Sequence, residues 1–320
     1  MITIRELADN IKQEKSIAIF IHIRPDGDAI GSSVGLKFLL DGLGIDSDIY
    51  STDPVPRSFM FLKGVENIKF ELNKTKKYSA YLAIDCADIA RLGVFADDFQ
   101  GFKGNKYVID HHISNTRFGT INYVIDKAAN AENIVDLAII FGVPVIAEMA
   151  QALLTGITTD TGGFRHKNVT VDTFRAAAFL MEKGADNNKI FYYCFSRQTQ
   201  NRAKLFGLTM EKIRYFADGK IALISIHKKM LDDTGSLPEE TEGFIDFITG
   251  IEGVEISISV METEKDTYKI SLRSRNADVN AVAQVFGGGG HTLASGCKIV
   301  GEYEEVVDRI TSTAKRFLPD

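Results

Sequence analysis

The chain lacks several features that would assign it to a specialised class of protein. It contains three cysteines, no tryptophan and no apolar run near the roughly 18 residues that span a membrane. The cysteines, at 86, 194 and 297, are odd in number and widely spaced, which favours reduced thiols over a disulfide framework. The first residues contain no apolar signal core. We therefore expect a cytoplasmic protein that does not enter a membrane.

A continuous basic stretch is also absent. The 37 Lys and Arg residues are outnumbered by 43 Asp and Glu residues, which gives a net charge of −6. This excludes a protein that holds long nucleic acid chiefly by neutralising its phosphates. A small phosphorylated substrate, held by a few local donors and metal ions, is compatible with the charge. The 320 residues, 45% of them hydrophobic, are enough for about two domains.

Short apolar runs alternate with helical patterns in the first part of the chain. This alternation predicts an α/β fold, with an N-terminal domain built on a doubly wound, mainly parallel sheet. The apolar runs are typical of buried parallel strands. They cover residues 16–22, 45–50, 81–85 and 106–110, and the clearest helical patterns cover 29–41 and 130–141.

The pattern changes in the last third of the chain. Apolar and polar residues alternate there, which predicts a sheet with one solvated face and helices on the other, in a smaller C-terminal α/β domain. The strands are expected at 220–227, 254–262 and 268–273, and the helices at 279–285 and 302–317. We expect domains at 1–188 and 213–320, a helical linker at 189–212, and a cleft between the domains.

Acidic residues and histidines follow the ends of several predicted strands. Ligands bind at the carboxyl ends of such strands, so these side chains are expected to converge on one crevice. Carboxylates mixed with imidazoles suit Mn²⁺ or Mg²⁺ better than structural zinc, and six donors suffice for two cations if one carboxylate bridges them. The candidate ligands are His22, Asp26, Asp28, Asp85, His111 and Asp160.

Two such cations, about 3.5 to 4 Å apart, can clamp a phosphoryl group and activate water. The pattern therefore indicates phosphoester hydrolysis. For the first loop alone, the alternative is an Asp-Gly turn in which Asp28 caps the following helix. The run Asp110-His111-His112 favours the metal interpretation, because three polar groups at a strand end are costly to bury unless paired.

A glycine run near the end of the chain, Gly287-Gly-Gly-Gly-His291, is a second candidate site. It is expected to open a helix and to offer backbone amides to an anion, with a flexible loop as the alternative. In the preceding Ser-Leu-Arg-Ser segment, Arg273 supplies a guanidinium suited to phosphate or a base edge, with a solvated strand-end arginine as the alternative.

Taken in order, these segments resemble the DHH-family phosphoesterases of the NrnA type, which carry a DHH-associated domain at the C-terminus. The resemblance covers nearly the whole chain. The segments that carry it are HIRPDGDAIGSS, AIDCAD with RLG following, VIDHHISN, LLTGITTDTGGF, SLRS and FGGGGHTLASG.

The resemblance implies a site with two Mn²⁺ ions, with Mg²⁺ or Co²⁺ as alternatives, and Asp85 as the bridging ligand. It implies catalytic roles for Asp110, which orients neighbouring ligands, and His112, which faces the scissile phosphate or the leaving oxygen. It also implies a set of residues that hold the nucleotide. These are Arg273, Ser274, Gly288, Gly289, Gly290 and His291.

The implied substrates are short oligoribonucleotides, linear dinucleotides and 3′-phosphoadenosine 5′-phosphate, with no long nucleic acid. Cyclic di-AMP is the main alternative, while the second domain argues against a pyrophosphatase and the complete ligand set against a non-catalytic nucleotide-sensing module. Arg24 and the Ala131-Glu132 segment depart from the usual pattern and bear on substrate preference. Relatives of this type often pair through the first domain, so we expect a homodimer.

Overall fold

The computed structural model describes residues 2–319, and these form two compact units. One unit ends at Arg197 and the other begins at Gln198. The finer division predicted from the sequence, with a linker at 189–212, stays a prediction. In the part of the chain that the structure describes, no helix is long and apolar enough to cross a membrane.

The first unit alternates strands with helices, as the sequence predicts. Its elements are α1 (Ile4–Ile11), β1 (Ser16–Phe20), α2 (Gly27–Gly42), β2 (Asp46–Tyr50), β3 (Ala80–Ile84), α3 (Ala96–Gly101), β4 (Asn105–Asp110), β5 (Ile121–Val124), α4 (Ala131–Phe141), α5 (Ala147–Asp160), α6 (Val171–Glu182) and α7 (Asn187–Phe191). The strands form one parallel sheet in the order β2-β1-β3-β4-β5, which confirms the predicted fold class. Strand β5 and helices α1, α3, α5 and α6 are not among the elements predicted with bounds.

Both faces of this sheet are covered, which explains why its strands are apolar almost throughout. On one face, Ile19 and Leu82 belong to a core that includes residues of α2, α4 and α5. On the other face, Phe20 and Ala83 pack in an aromatic cluster with Phe99. Burial of each large apolar side chain stabilises the fold by about 1.5 to 3 kcal/mol. The sheet is therefore a firm support for the loops at its carboxyl edge.

Helices α2 and α5 approach each other closely at two glycines. A Cβ on Gly31 would lie 2.4 Å from the carbonyl oxygen of Ala152, and a Cβ on Gly156 would lie 2.7 Å from Oδ1 of Asp28. The helices pack this closely because neither position has a side chain. As a result, Asp28 in the first turn of α2 comes within 4.8 Å of Asp160 at the end of α5.

The second unit contains a six-stranded mixed sheet. Its elements are α8 (Gln200–Met210), β6 (Arg214–Phe216), β7 (Ile221–Ile226), α9 (Lys228–Thr234), α10 (Phe244–Thr249), β8 (Ile256–Glu264), β9 (Thr267–Ser274), α11 (Val279–Gln284), β10 (Gly289–His291), β11 (Ala294–Val300) and α12 (Tyr303–Lys315). The order is β10-β11-β9-β8-β7-β6, with β7 and β8 parallel and the other neighbours antiparallel.

The expectation of one solvated face is wrong for β7, which is buried along its whole length. Leu223 packs in a core with residues of α11 and α12, whereas Ile224 packs in a second core with residues of α8, α9 and α10. Helices thus cover both faces at this end of the sheet. Toward β9 one face stays open, and there Lys269 and Ser271 line a cavity of about 420 Å³.

The expectation that the glycine run opens a helix is also wrong. Its end forms the edge strand β10, which pairs antiparallel with β11 in a tight hairpin. A Cβ on Gly288 would lie 2.2 Å from the carbonyl oxygen of Gly296, and Gly290 has a φ of 153°. Gly288 is required because the two backbones come so close that a side chain would not fit. Gly290 is required because its φ is one that residues with a side chain rarely adopt.

Candidate metal centre

The predicted ligands of the first unit lie together at the carboxyl edge of its sheet. His22 and Asp85 come just after β1 and β3, and His111 follows the last residue of β4. Asp160 is the last residue of α5. Asp26 is the N-cap of α2 and accepts from the backbone amide of residue 28, so the alternative in which Asp28 is the cap is wrong. The six side chains converge as the sequence predicts.

One group of candidate ligands consists of His22, Asp26 and Asp85. Nε2 of His22 lies 3.6 Å from Oδ2 of Asp26 and 3.8 Å from Oδ2 of Asp85. Nδ1 of the same ring lies 2.8 Å from the carbonyl oxygen of Ile23. When Nδ1 donates its proton to that carbonyl, the lone pair of Nε2 points at the two carboxylates. This is the tautomer that binds a cation through Nε2.

A second group consists of Asp28, His111 and Asp160, again with Asp85. Nε2 of His111 lies 3.9 Å from Oδ2 of Asp28, 3.4 Å from Oδ2 of Asp160 and 3.4 Å from Oδ1 of Asp85. Nδ1 of His111 lies 3.0 Å from the carbonyl oxygen of Lys127, which fixes this ring in the same way. The two groups thus share Asp85, through a different oxygen in each.

The environment of Asp85 fits a metal ligand. Asp85 is 1% exposed and has a φ of 52°, a conformation uncommon for residues other than glycine. Its Oδ1 and the Nε2 of His22 are both buried without a hydrogen-bond partner. Buried polar atoms in native proteins are nearly always paired, and divalent cations would pair both of these.

Asp28 is hydrogen-bonded to the backbone at the start of α4. Its carboxylate accepts hydrogen bonds from the backbone amides of Asn130 and Ala131 and from the hydroxyl of Ser32. Burial and the neighbouring carboxylates of Asp85 and Asp160 raise the pKa of Asp28 well above its usual value. A bound cation would offset that repulsion and favour the charged carboxylate.

Asp110 and His112 form a hydrogen-bonded pair that adjoins the ligand groups, with Nδ1 of His112 also 3.7 Å from Oδ1 of Asp85. Nδ1 of His112 lies 2.8 Å from Oδ1 of Asp110, and the other oxygen of Asp110 accepts from the side-chain amide of Asn115 at 2.6 Å. The bond to Asp110 raises the pKa of His112. Burial acts the other way on Asp110, but its bonds from His112 and Asn115 lower its pKa below the usual value. The bond to Asp110 thus fixes the orientation of the His112 ring beside the ligand groups and favours its protonated form.

In the second unit, Arg273 and His291 lie in one row across the sheet. Ala294 of β11 pairs with Arg273 of β9 on one side and with His291 of β10 on the other. Directly paired residues project to the same face. Arg273 lines the cavity on that face, with its Nε 3.6 Å from Oδ1 of Asp246. The side chain of His291 is exposed.

The other predicted nucleotide-binding residues are already engaged with the protein. The hydroxyl of Ser274 donates to the carbonyl oxygen of Ala277. The amides of Gly287, Gly288 and Gly290 donate to acceptors within the unit. The expected anion-binding nest of exposed amides is therefore not formed by these three groups. Gly289, the remaining glycine of the run, pairs with Gly296 of β11 in the hairpin.

Asn115 and the amides of Asn130 and Ala131 also support the site, although no sequence motif predicts a role for them. Asn115 is the last residue of the segment VIDHHISN, which carries the family resemblance, but the segment alone does not predict its contact with Asp110. The amides support Asp28 from about a hundred positions away, and a backbone amide carries no sequence signal.

A parallel α/β sheet with a shared-carboxylate cluster at its edge, followed by a second α/β unit, defines a two-domain protein with a candidate dinuclear metal centre. A family model for the DHH family, N-terminal domain, matches residues 16–157, and one for the DHHA1 domain matches residues 224–320. The chain belongs to the DHH family.

Several known proteins are similar along nearly their whole length. The bifunctional oligoribonuclease and PAP phosphatase NrnA of Thermus thermophilus is 34% identical over 309 residues, which cover 95% of this chain and 91% of the relative. The protein of the same name from Bacillus subtilis is 27% identical, with 92% of each chain covered. The crystal structure of an exopolyphosphatase-related protein from Bacteroides fragilis matches with a TM-score of 0.83 and 26% identity, covering 98% of this chain and 96% of that one.

Proposed function

We propose that this protein is a metal-dependent phosphoesterase that hydrolyses very short oligoribonucleotides and linear dinucleotides to mononucleotides. We include 3′-phosphoadenosine 5′-phosphate, hydrolysed to AMP, among its substrates. The names of the relatives from Thermus thermophilus and Bacillus subtilis support both activities. We also propose a cytoplasmic location, as the sequence predicts.

The observation that carries the proposal is the position of Asp85 between two ligand groups. Its Oδ2 faces His22 and its Oδ1 faces His111, so a single carboxylate can bridge two cations. We assign His22 and Asp26 to one cation, Asp28, His111 and Asp160 to the other, and Asp85 to both. The oxygen-rich donor set supports Mn²⁺, with Mg²⁺ or Co²⁺ as alternatives. Bound there, the cations would polarise the phosphoryl group and lower the pKa of a water molecule.

His112 is proposed to contact the phosphate or the leaving oxygen. Nδ1 of this ring donates to Asp110, so Nε2 is the position that can donate a proton when the ring is protonated and accept one when it is neutral. The bond to Asp110 raises the pKa of His112, which favours the protonated ring that this role needs. Asp110 is proposed as the positioning residue that keeps the ring in this orientation.

The second unit is proposed to hold the nucleotide. Arg273 and His291 offer side chains on one face of the sheet and suit a phosphate or a base edge. For Ser274, Gly288, Gly289 and Gly290, we propose that they shape the hairpin against which the nucleotide packs. We further propose that the protein forms a homodimer.

A product-resolved assay with Mn²⁺ tests the proposal. Dinucleotides, the bisphosphorylated adenosine, cyclic di-AMP and long single-stranded RNA are each incubated with the enzyme and their products separated. We expect mononucleotides from dinucleotides, AMP from the bisphosphate, slow attack on long RNA, and loss of all activity with chelator. Activity confined to cyclic di-AMP, or undiminished by chelator, would contradict the proposal.

A further inference from the structure

Arg91 is a half-buried cation beside the candidate metal centre. Its guanidinium forms a hydrogen-bond contact with a side chain through Nη2, which lies 3.1 Å from Nδ1 of His22. Within residues 2–319, no carboxylate lies at ion-pair distance from it. An arginine carries five N–H donors, and placing them partly out of water without acceptors is unfavourable. The guanidinium therefore has donors available for a ligand.

The backbone at Arg91 is fixed to the loop that carries His22. The amide of Ile23 donates to the carbonyl oxygen of Arg91 at 2.7 Å, and the amide of Arg91 donates to the carbonyl oxygen of Asp88 at 3.0 Å. Two residues later, Gly93 has a φ of 60°, and a Cβ there would lie 2.6 Å from Cγ2 of Ile23. The guanidinium is thus carried by a rigid segment that is packed directly on the metal-binding loop.

Metal binding would remove the hydrogen bond between the Arg91 side chain and His22. An imidazole that binds a cation through Nε2 keeps its proton on Nδ1. In His22 that proton goes to the carbonyl oxygen of Ile23, 2.8 Å away. Nδ1 then has no lone pair for Arg91, and the Nη2 donor is left without an acceptor. An anion bound at the centre is the partner that would satisfy it.

We propose that Arg91 binds a non-bridging phosphate oxygen of the substrate, on the His22 side of the metal centre. This rests on the proposed function, since the ligand class is a phosphate ester. The planar guanidinium matches two phosphate oxygens, and charge-assisted bonds of this kind are among the strong ones in proteins. Arg91 belongs to the same unit as the metal ligands, so this contact does not depend on the second unit.

The test compares Arg91→Gln, Arg91→Lys and the control Arg5→Gln, which removes an exposed arginine of α1. AMP binding is measured by calorimetry with saturating Mn²⁺, together with metal content, melting temperature and dinucleotide turnover. Loss of one charge-assisted contact should weaken AMP binding about ten- to a hundredfold in Arg91→Gln. Arg91→Lys should show an intermediate loss of AMP affinity, because lysine keeps the positive charge but lacks the planar pair of N–H donors. Metal content should stay unchanged, and Arg5→Gln should match the wild type.

Unchanged AMP affinity and turnover in Arg91→Gln with full metal content would overturn the inference. So would reduced metal content with normal AMP affinity in the loaded protein, because Arg91 would then act through His22. If Arg91→Gln does not fold, Arg91→Lys decides the question by the same measurements. Failure of the proposed function would look different: the wild-type protein would hydrolyse none of the proposed substrates, whatever its affinity for AMP.

Discussion

Asp85 presents its two carboxylate oxygens to two different histidines, Oδ2 at 3.8 Å from Nε2 of His22 and Oδ1 at 3.4 Å from Nε2 of His111. These imidazoles come from loops after different strands, and each is fixed through Nδ1 by a backbone carbonyl oxygen. Loss of this carboxylate would therefore affect both ligand groups at once.

Asp85→Asn should reduce binding of both cations and lower turnover more than a change at any other ligand. Asparagine keeps the size of the side chain but offers one neutral oxygen in place of two charged ones. Metal content by mass spectrometry and dinucleotide turnover measure the effect. Asp172→Asn, at an exposed ion pair with Arg175, is the matched control. Wild-type turnover of Asp85→Asn at stoichiometric metal would refute the assignment of the bridge.

His112→Ala should keep both metal ions and lose most of its turnover. The ring is placed by Asp110 and is assigned to the phosphate or leaving oxygen, where proton donation typically contributes about 10²- to 10⁴-fold in rate. The measurements are metal content and single-turnover rate. Asp110→Asn should show a smaller loss, because the ring stays but its orientation and charge are less well held. A missing metal ion in His112→Ala would make His112 a ligand instead.

Arg273→Ala and His291→Ala should raise KM for dinucleotides without changing metal content. Loss of a charge-assisted phosphate contact costs about 1.5 to 3 kcal/mol, or roughly ten- to a hundredfold in binding. A small reporter, bis(p-nitrophenyl) phosphate, should be hydrolysed at nearly the wild-type rate. Arg316→Ala, an exposed arginine just after α12, is the control. Normal KM for dinucleotides in both variants would remove these residues from the nucleotide site.

Asp48→Asn should lower the free energy of unfolding near neutral pH, and by a smaller amount in acid. Burial disfavours the charged carboxylate of Asp48, but bonds from Lys69, Lys76 and Tyr78 outweigh it and lower its pKa below the usual value. Such a depressed pKa stabilises the fold fully above the unfolded pKa of about 3.9. The contribution declines below that pH and is lost as the pH falls through the lower folded pKa.

The expected loss for Asp48→Asn is roughly 1 to 2 kcal/mol at pH 7, since two lysines lose their shared partner. Urea unfolding of variant and wild type at pH 7 and at pH 3 gives the two differences. Asp41→Asn, at a more exposed pair with Lys37, should have a smaller effect. A difference for Asp48→Asn that is equal at both pH values would show that its charge is not responsible.

Gly156→Ala should destabilise the first unit and weaken metal binding. The added methyl would lie 2.7 Å from Oδ1 of Asp28 and 2.9 Å from Cβ of Ala131, so α5 must move. Overpacking of this kind typically costs about 1 to 3 kcal/mol. Gly207→Ala in α8 is the control, because nothing lies within 4 Å of its Cβ and alanine favours a helix. Thermal unfolding and metal content are measured for both variants. A melting temperature of Gly156→Ala equal to that of the wild type would show that α5 can shift without loss of stability.

The sequence predicted the parallel sheet and the six candidate ligands because both depend on local patterns. Apolar runs of strand length end just before His22, Asp85 and His111, and parallel strands bring such ends to one edge. The hydrogen bonds from the amides of Asn130 and Ala131 to Asp28 could not be predicted from the sequence. That contact joins segments about a hundred positions apart and involves backbone groups that every residue has.

The second unit was harder to predict because its patterns are weaker. Alternation in β8 and β9 indicated strands correctly, but it did not reveal that helices α8 to α10 cover part of the second face. The glycine run has no hydrophobic period, so its pairing with β11 depends on how closely two backbones approach. That distance is a property of the folded sheet and not of the local sequence.

The candidate ligands are scattered between positions 22 and 160, and this spacing bears on how the protein would be made. A chain still emerging from the ribosome cannot bring His22 and Asp160 together until α5 has docked on α2. Ions would therefore bind late, to an already assembled sheet, and would stabilise the native state. Such binding adds RT ln(1 + [M]/Kd) to the free energy of unfolding, so the resistance of this unit to proteolysis should rise with the free metal concentration.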